Sequence, residues 1–346
     1  MDQEYIERIK KIDNVLKLWL PDTADSAWAE KVFPGIGGNI NIDLIHSLTT
    51  PLSDILSRGG KHWRPLLMTL VCETLDGGDC ALQLSPLVEF CHNASLVHDD
   101  IEDESDERRG KPSVHKIYGV DTAINSGCFF YFLSTCCIDS CNLKNKELVY
   151  SLWADCIRKL HMGQAMDISW HRNISTIPNT DEYYSMCKMK TGSLASLSAE
   201  IGAICAGAPR KTAQTLGEAA QMLGVGFQIL DDVKNLTTGV PGKKRGDDVV
   251  EGKKSLPVLL FMNKYKEKQE RVFYYFHAAK KDGIKVPEVE EFIEMLTSSG
   301  VISEAEEEGQ ALLKQARDIF GSSKFTGCTV NKKGQALLDG LIKSIS

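Results

Sequence analysis

Residues 95–110 read SLVHDDIEDESDERRG and residues 226–236 read GFQILDDVKNL; in each, an apolar helical stretch is interrupted by carboxylates one turn apart. Positions i and i+4 of a helix share a face, so Asp99 and Asp103 project together, with Asp100 about 100° of rotation away. Asp231 and Asn235, with Asp232 beside them, repeat the geometry. Carboxylates held this close repel, and the first cluster contains no basic residue, so they make sense as ligands of a hard divalent cation. Magnesium held by one or two carboxylates leaves its other positions to water and substrate phosphates, which points to a metal bridge to a phosphorylated ligand. A solvated acidic helix end would explain either cluster alone. Two of them, each following an apolar run, weigh against that explanation.

The surrounding chain is read as helical throughout. Apolar residues recur at helical spacing in IERIKKIDNVLKLWL, RPLLMTLVCETL, SPLVEFCHNASLVHDDI, ELVYSLWADCIRKLHMGQAMDI, GEAAQMLGVGFQILDDVKNL and SEAEEEGQALLKQARDIF, whereas alternating strand patterns are nearly absent. An all-α bundle follows. Breaks fall at FPGIGG (33–38), LDGGDC (75–80), GAPRK (207–211) and TTGVPGKKRGDDVVEGKK (237–254). None is long enough to link independent domains, so residues 1–346 are expected to form one domain.

Composition sets outer bounds. The 346 residues are 42% hydrophobic and 25% charged, the profile of a globular chain with ample core. A formal charge of −7 gives no whole-molecule attraction to nucleic acid. The eleven cysteines show neither a CxxC pair nor zinc-site spacing and read as reduced thiols in a cytosolic protein. MDQEYIERIKKIDNVLKLWL lacks the features of a secretory signal. The greasiest stretch, GCFFYFLSTCCI, is shorter than the roughly 18 to 20 residues of a membrane span, so no span and a cytoplasmic location are expected.

Basic residues accompany both clusters. Arg108, Arg109 and Lys111 follow the first; Lys243, Lys244, Arg245, Lys253 and Lys254 follow the second; GGKHWRP adds Lys61 and Arg64 at a helix start. Arginine forks and lysine point charges beside a metal are a recurring way to hold polyphosphate, and a helix N-terminus favours anions too. A surface charge run is the plainer explanation for the lysines of 243–254 taken alone. No P-loop or GxGxxG is present, which disfavours nucleotide handling.

These blocks, in order, GGKHWRP, EFCHNASLVHDDIEDESDERRGKPSVH, GQAMD, KMKTGSL, GFQILDDVKNL and GKKRGDDVVEGKKSLP, resemble the trans-polyprenyl diphosphate synthases over roughly residues 55–260. The resemblance implies an all-α fold of about ten helices around a deep central cavity, and a homodimer. It implies that Asp99, Asp100 and Asp103 face Asp231, Asp232 and Asn235, jointly holding magnesium ions on the diphosphate of an allylic substrate. It further implies that Arg108, Lys190 and Lys243 clamp that diphosphate, with Lys253 among the substrate-binding groups, and that Lys61, Arg64, His92 and Arg109 hold isopentenyl diphosphate. Thr191 and Gln228 would turn oxygens toward the allylic cation. Without the motif, His92 reads as a core histidine.

Two departures stand out. Asn235 replaces the last aspartate of the second motif, offering a carbonyl oxygen but no charge, so a weakened metal position is expected there. Residues 1–50 match no motif and read as helical packing or dimer contacts. Ala94 and Ser95, five and four residues before the first aspartate, are small, which in this family leaves the upper tunnel open; Tyr131 and Phe132 are candidate floor residues, with Tyr150 and Trp153 lower. Geranylgeranyl diphosphate or a longer product is expected. A class I terpene cyclase and a non-catalytic subunit of a heteromeric synthase are the alternatives.

Overall fold

The computed structural model describes residues 3–239, 244–322 and 327–345. Among them are eighteen α-helical segments, several only five residues long, and one hairpin pairing Glu107–Arg108 antiparallel to Lys111–Pro112. The all-α reading holds, and the sequence breaks fall where helices stop. Ser26–Val32 ends before FPGIGG, Trp63–Thr74 before the glycines of LDGGDC, Gly192–Cys205 before GAPRK, and Arg210–Thr237 at the start of TTGVPGKKRGDDVVEGKK. No helix among the described residues is long and apolar enough to cross a membrane. All eleven cysteines are free, and five of them are buried, so the expectation of core thiols holds for about half of the set.

The chain packs as two compact units, each assembled from three stretches: Met1–Ala154, Leu197–Ala213 and Lys324–Leu338 in one, Asp155–Ser196, Gln214–Ser323 and Asp339–Ser346 in the other. In the first, helix Ser85–Glu102 packs against helices Gln3–Trp19, Trp63–Thr74 and Val120–Leu133. Pro86 suits its first turn, where the missing N–H has no partner to lose. Leu87, Phe90, Cys91, Ala94 and Val97, spaced three and four apart, are all buried. Phe90 meets the Phe130 ring at 4.5 Å; burying each such ring contributes about 1.5–3 kcal/mol. Trp63–Thr74 is buried at nearly every position, the mark of a helix wholly inside a core. The motif-free N-terminus serves packing: Ile12, Val15, Leu16 and Trp19 are buried, and Trp28 Nε1 donates to the Trp19 carbonyl at 2.7 Å.

In the second unit, Ile229, Val233 and Leu236 of helix Arg210–Thr237 enter a core shared with Tyr183, Phe261, Tyr275, Phe276 and Phe292. The same 3.6-residue period sets Gln228, Asp232 and Asn235 on an adjoining face.

Candidate active site

The first unit builds an acidic group beside a cationic one. Helix Ser85–Glu102 ends just before Asp103, whose N–H still donates to the Asp99 carbonyl at 2.9 Å, so the one-turn relation between the two side chains survives. Asp99 and Asp103 are half-buried, while Asp100 is fully buried. Arg108 donates through Nε to Asp100 Oδ1 at 2.8 Å and through Nη2 to the same oxygen, and Nη2 lies 3.7 Å from Asp99 Oδ2. Burial pushes the Asp100 carboxyl up in pKa despite that arginine.

Arg108 and Arg109 ride on the hairpin, whose two turn residues, Arg109 and Gly110, both have positive φ (54° and 73°). That is the geometry of a type I′ connection, easy for glycine and costly for arginine. Arg58 secures it: buried and paired with Asp54 at 2.6 Å, it donates from Nη1 to the carbonyls of Arg108 (3.1 Å) and Pro112 (2.9 Å). Arg109 Nη1 then reaches the Ile55 carbonyl and Asn93 Oδ1, each at 3.3 Å. Arg64 is buried in the first turn of Trp63–Thr74, and exposed Lys61 precedes that helix. His92 is half-buried on the aspartate helix, and burial together with Arg64, Arg109 and Arg108 holds its pKa well below the usual imidazole range, so it is neutral.

The second unit builds a hydrogen-bonded chain. Thr191 Oγ1 donates to Gln228 Oε1 at 2.8 Å, Gln228 Nε2 to Asp232 Oδ1 at 3.0 Å, and Tyr183 Oη to Asp232 Oδ2 at 2.7 Å. Two glycine contacts make this possible. A Cβ at Gly163 would lie 2.4 Å from the Lys190 amide nitrogen, and one at Gly224 would lie 2.8 Å from Gly192 Cα, so larger residues would push these helices apart. Helix Thr180–Lys190 opens on a capping box between Asn179 and Glu182, worth about 1 kcal/mol. At its other end, Lys190 Nζ meets Asp167 Oδ2 at 2.6 Å. Lys253 Nζ lies 3.3 Å from Asp248 Oδ1 and 3.5 Å from Glu251 Oε2. Burial and the Asp248 charge push Asp232 up in pKa. For Lys253 burial acts downward, but the charges of Asp248, Glu251, Asp167 and Asp232 outweigh it and hold the ammonium protonated.

A family model, Polyprenyl synthetase, matches residues 45–296. The chain belongs to this family. It is 34% identical over 264 residues to a short chain isoprenyl diphosphate synthase of Methanocaldococcus jannaschii (75% of this chain, 79% of that one). It is 31% identical over 299 residues to a geranylgeranyl pyrophosphate synthase of Neocamarosporium betae (86% and 82%). The crystal structure of a geranylgeranyl pyrophosphate synthetase from Pyrococcus horikoshii superposes with a TM-score of 0.82 at 27% identity, covering 99% of this chain and 96% of that one. As a polyprenyl synthetase the chain is an enzyme, a prenyltransferase of isoprenoid biosynthesis.

Set against this polyprenyl synthetase framework, the expected residues divide. Lys61, Arg64, His92, Asp99, Asp103, Arg108 and Arg109 all belong to the first unit, and Lys190, Thr191, Gln228, Asp231, Asp232 and Lys253 to the second; Lys243 lies outside the described residues. Four of the expected residues, Asn235, Asp232, Lys253 and Phe132, have surroundings the sequence did not show. Asn235 Oδ1 accepts the Asp248 N–H at 3.1 Å, tying helix Arg210–Thr237 to the short helix Asp247–Glu251. Asp232 has both oxygens committed to Tyr183 and Gln228, and Lys253 is enclosed by carboxylates as their countercharge. Phe132 is 65% exposed, which removes it from a buried floor of its own chain, whereas Tyr131 is buried with its ring 5.8 Å from His98. Arg58, Glu89, Asn93, Asp167, Tyr183 and Asp248 carry the supporting contacts and were not singled out in the sequence. Glu89, Asn93, Asp167 and Asp248 lay inside the quoted blocks without a role of their own, and Arg58 and Tyr183 lay outside them.

Proposed function

We propose that this enzyme condenses isopentenyl diphosphate head-to-tail with an allylic diphosphate to make an all-trans geranylgeranyl or longer diphosphate, the chain serving as one catalytic domain. The observation that carries the reading is the pairing of a half-buried carboxylate group, Asp99 and Asp103, with a separate set of cations, buried Arg64 and half-buried Arg109. One group suits a metal-bound diphosphate and the other a diphosphate bound by cations alone.

A magnesium fit is supported by the hard oxygen donors and by Asp100 Oδ2, which is buried without a hydrogen-bond partner among the described residues and would suit a cation or its water shell. Among those residues no three His, Cys, Asp or Glu side chains form a ready-made cage; magnesium shared between a few carboxylates and phosphate oxygens needs none. Asp99, Asp103 and Asp231 are the proposed direct ligands. Bound magnesium supplies charge neutralisation to the departing diphosphate.

The allylic carbon–oxygen bond breaks with its electron pair leaving on diphosphate, which Lys190 and Arg108 help to hold. Thr191, whose hydroxyl donates its hydrogen bond to Gln228 Oε1, keeps oxygen lone pairs for the allylic cation. The isopentenyl double bond forms the new carbon–carbon bond, and a proton then passes to the released diphosphate as the new double bond closes.

Small Ala94 and Ser95 support growth beyond farnesyl length, with buried Tyr131 as the limiting side chain. Tyr131→Ala should lengthen the product and Phe132→Ala should not; chromatography of the released alcohols decides. A homodimer is supported by the exposed Val120, Ile124 and Phe132 (50%, 44% and 65%) on one stripe of helix Val120–Leu133. Incubation with labelled isopentenyl diphosphate and dimethylallyl, geranyl or farnesyl diphosphate tests the activity. Label should appear in a longer diphosphate, and its absence with all three primers contradicts the proposal.

A further inference from the structure

Two non-glycine residues of the cationic group sit in the left-handed region, His62 at φ 42° and Arg109 at φ 54°. Such conformations cost free energy and persist where neighbours enforce them. The same acid stands behind both. Glu89, 2% exposed on helix Ser85–Glu102, lies with Oε1 3.0 Å from His62 Nδ1 and accepts from Asn93 Nδ2 at 3.0 Å; Asn93 Oδ1 in turn accepts from Arg109 Nη1 at 3.3 Å. His62 is further steadied by Asp13 Oδ1, 3.5 Å from Nε2. His62 adjoins Lys61 in sequence and precedes Arg64 by two residues.

We infer that Glu89 is a positioning residue: through His62 it fixes the backbone from which Lys61 and Arg64 extend, and through Asn93 it fixes Arg109, so that one buried carboxylate sets the spacing of the cations that receive isopentenyl diphosphate. This rests on the function proposed above. A buried anion without cations around it would be expelled or protonated. Here burial acts upward on Glu89, yet the His62 contact and the charges of His62 and Arg64 hold its pKa at about 2. A permanently ionised carboxylate amid those cations also lowers their mutual repulsion before substrate arrives. Glu89 itself need not touch substrate, since Oε1 contacts the side chains of His62 and Asn93, which stand between it and the cations.

The test is steady-state kinetics of Glu89→Gln with each substrate varied in turn. Losing a charge-assisted contact should raise KM for isopentenyl diphosphate about tenfold, with kcat and the allylic KM within about twofold. A merely structural defect would lower the active fraction, and so apparent kcat, without that split. Asn93→Ala, which cuts only the arm to Arg109, should raise the same KM about threefold and decides the matter if Glu89→Gln does not fold. Unchanged isopentenyl KM in both variants, or equal loss toward both substrates, overturns the inference while leaving the proposed reaction intact. A wild-type enzyme that never incorporates isopentenyl diphosphate overturns both.

Discussion

The two aspartate clusters share a spacing and differ in what surrounds them. At Asp99–Asp103 the buried member, Asp100, is held by an arginine, and the last position is a half-buried carboxylate. At Asp231–Asn235 the buried member is held by neutral donors, Tyr183 and Gln228, with Lys253 as a charge nearby, and the last position is spent on fastening Asp248. One cluster is built to present charge; the other presents Asp231 and uses its remaining positions to shape the wall. Motif spacing alone therefore overstates their equivalence.

The largest effects should come where the clusters are alike. Asp99→Asn and Asp231→Asn are each expected to lower kcat on the order of a hundred- to a thousandfold, the cost of removing one preorganised electrostatic group. Near-normal turnover by either variant would break the pairing of the clusters in a single reaction.

A smaller effect should come where they differ. Asn235→Ala removes the acceptor for the Asp248 N–H and should cost about 1–2 kcal/mol of unfolding free energy. Asn235→Asp keeps the acceptor but adds a buried negative charge near Asp248, so the metal-free protein should lose stability; urea unfolding measures both.

The smallest effect is in pH dependence, and it runs in opposite directions in the two regions. Glu89, with cationic partners, has its folded pKa depressed to about 2. Its contribution is full above the ordinary carboxylate pKa of about 4.3 and is lost as pH falls toward 2. Asp232, with neutral donors beside Asp248, has its folded pKa raised. Its ionisation therefore lowers the stability of the metal-free protein as pH rises above the ordinary carboxylate range. Urea midpoints across pH should show Glu89→Gln flattening the acid limb and Asp232→Asn flattening the decline from about pH 4 upward; a common slope for both variants would erase the distinction.

What was legible in the sequence follows from the range of the interactions. Helix Ser85–Glu102 and helix Arg210–Thr237 were readable because their apolar period and carboxylate spacing are local. Glu89 was not, since its partner His62 stands on another helix start and a buried glutamate in an apolar run carries no signal of its pairing. The Asn235 contact was hidden for the same reason: its partner Asp248 lies thirteen residues on, across a polar stretch that no local pattern fixes. Phe132 was assigned to the interior because an aromatic run, Phe129 to Phe132, does not say which ring faces inward until the helix is set in place.

The magnesium dependence of turnover in Asp103→Asn and Asn235→Asp tests the inequality of the clusters most directly. The account predicts that Asp103→Asn raises the magnesium concentration for half-maximal rate about tenfold or more, as loss of one charged ligand should, while Asn235→Asp leaves it within about twofold. A marked drop in that concentration for Asn235→Asp, with Asp103→Asn unaffected, would contradict it.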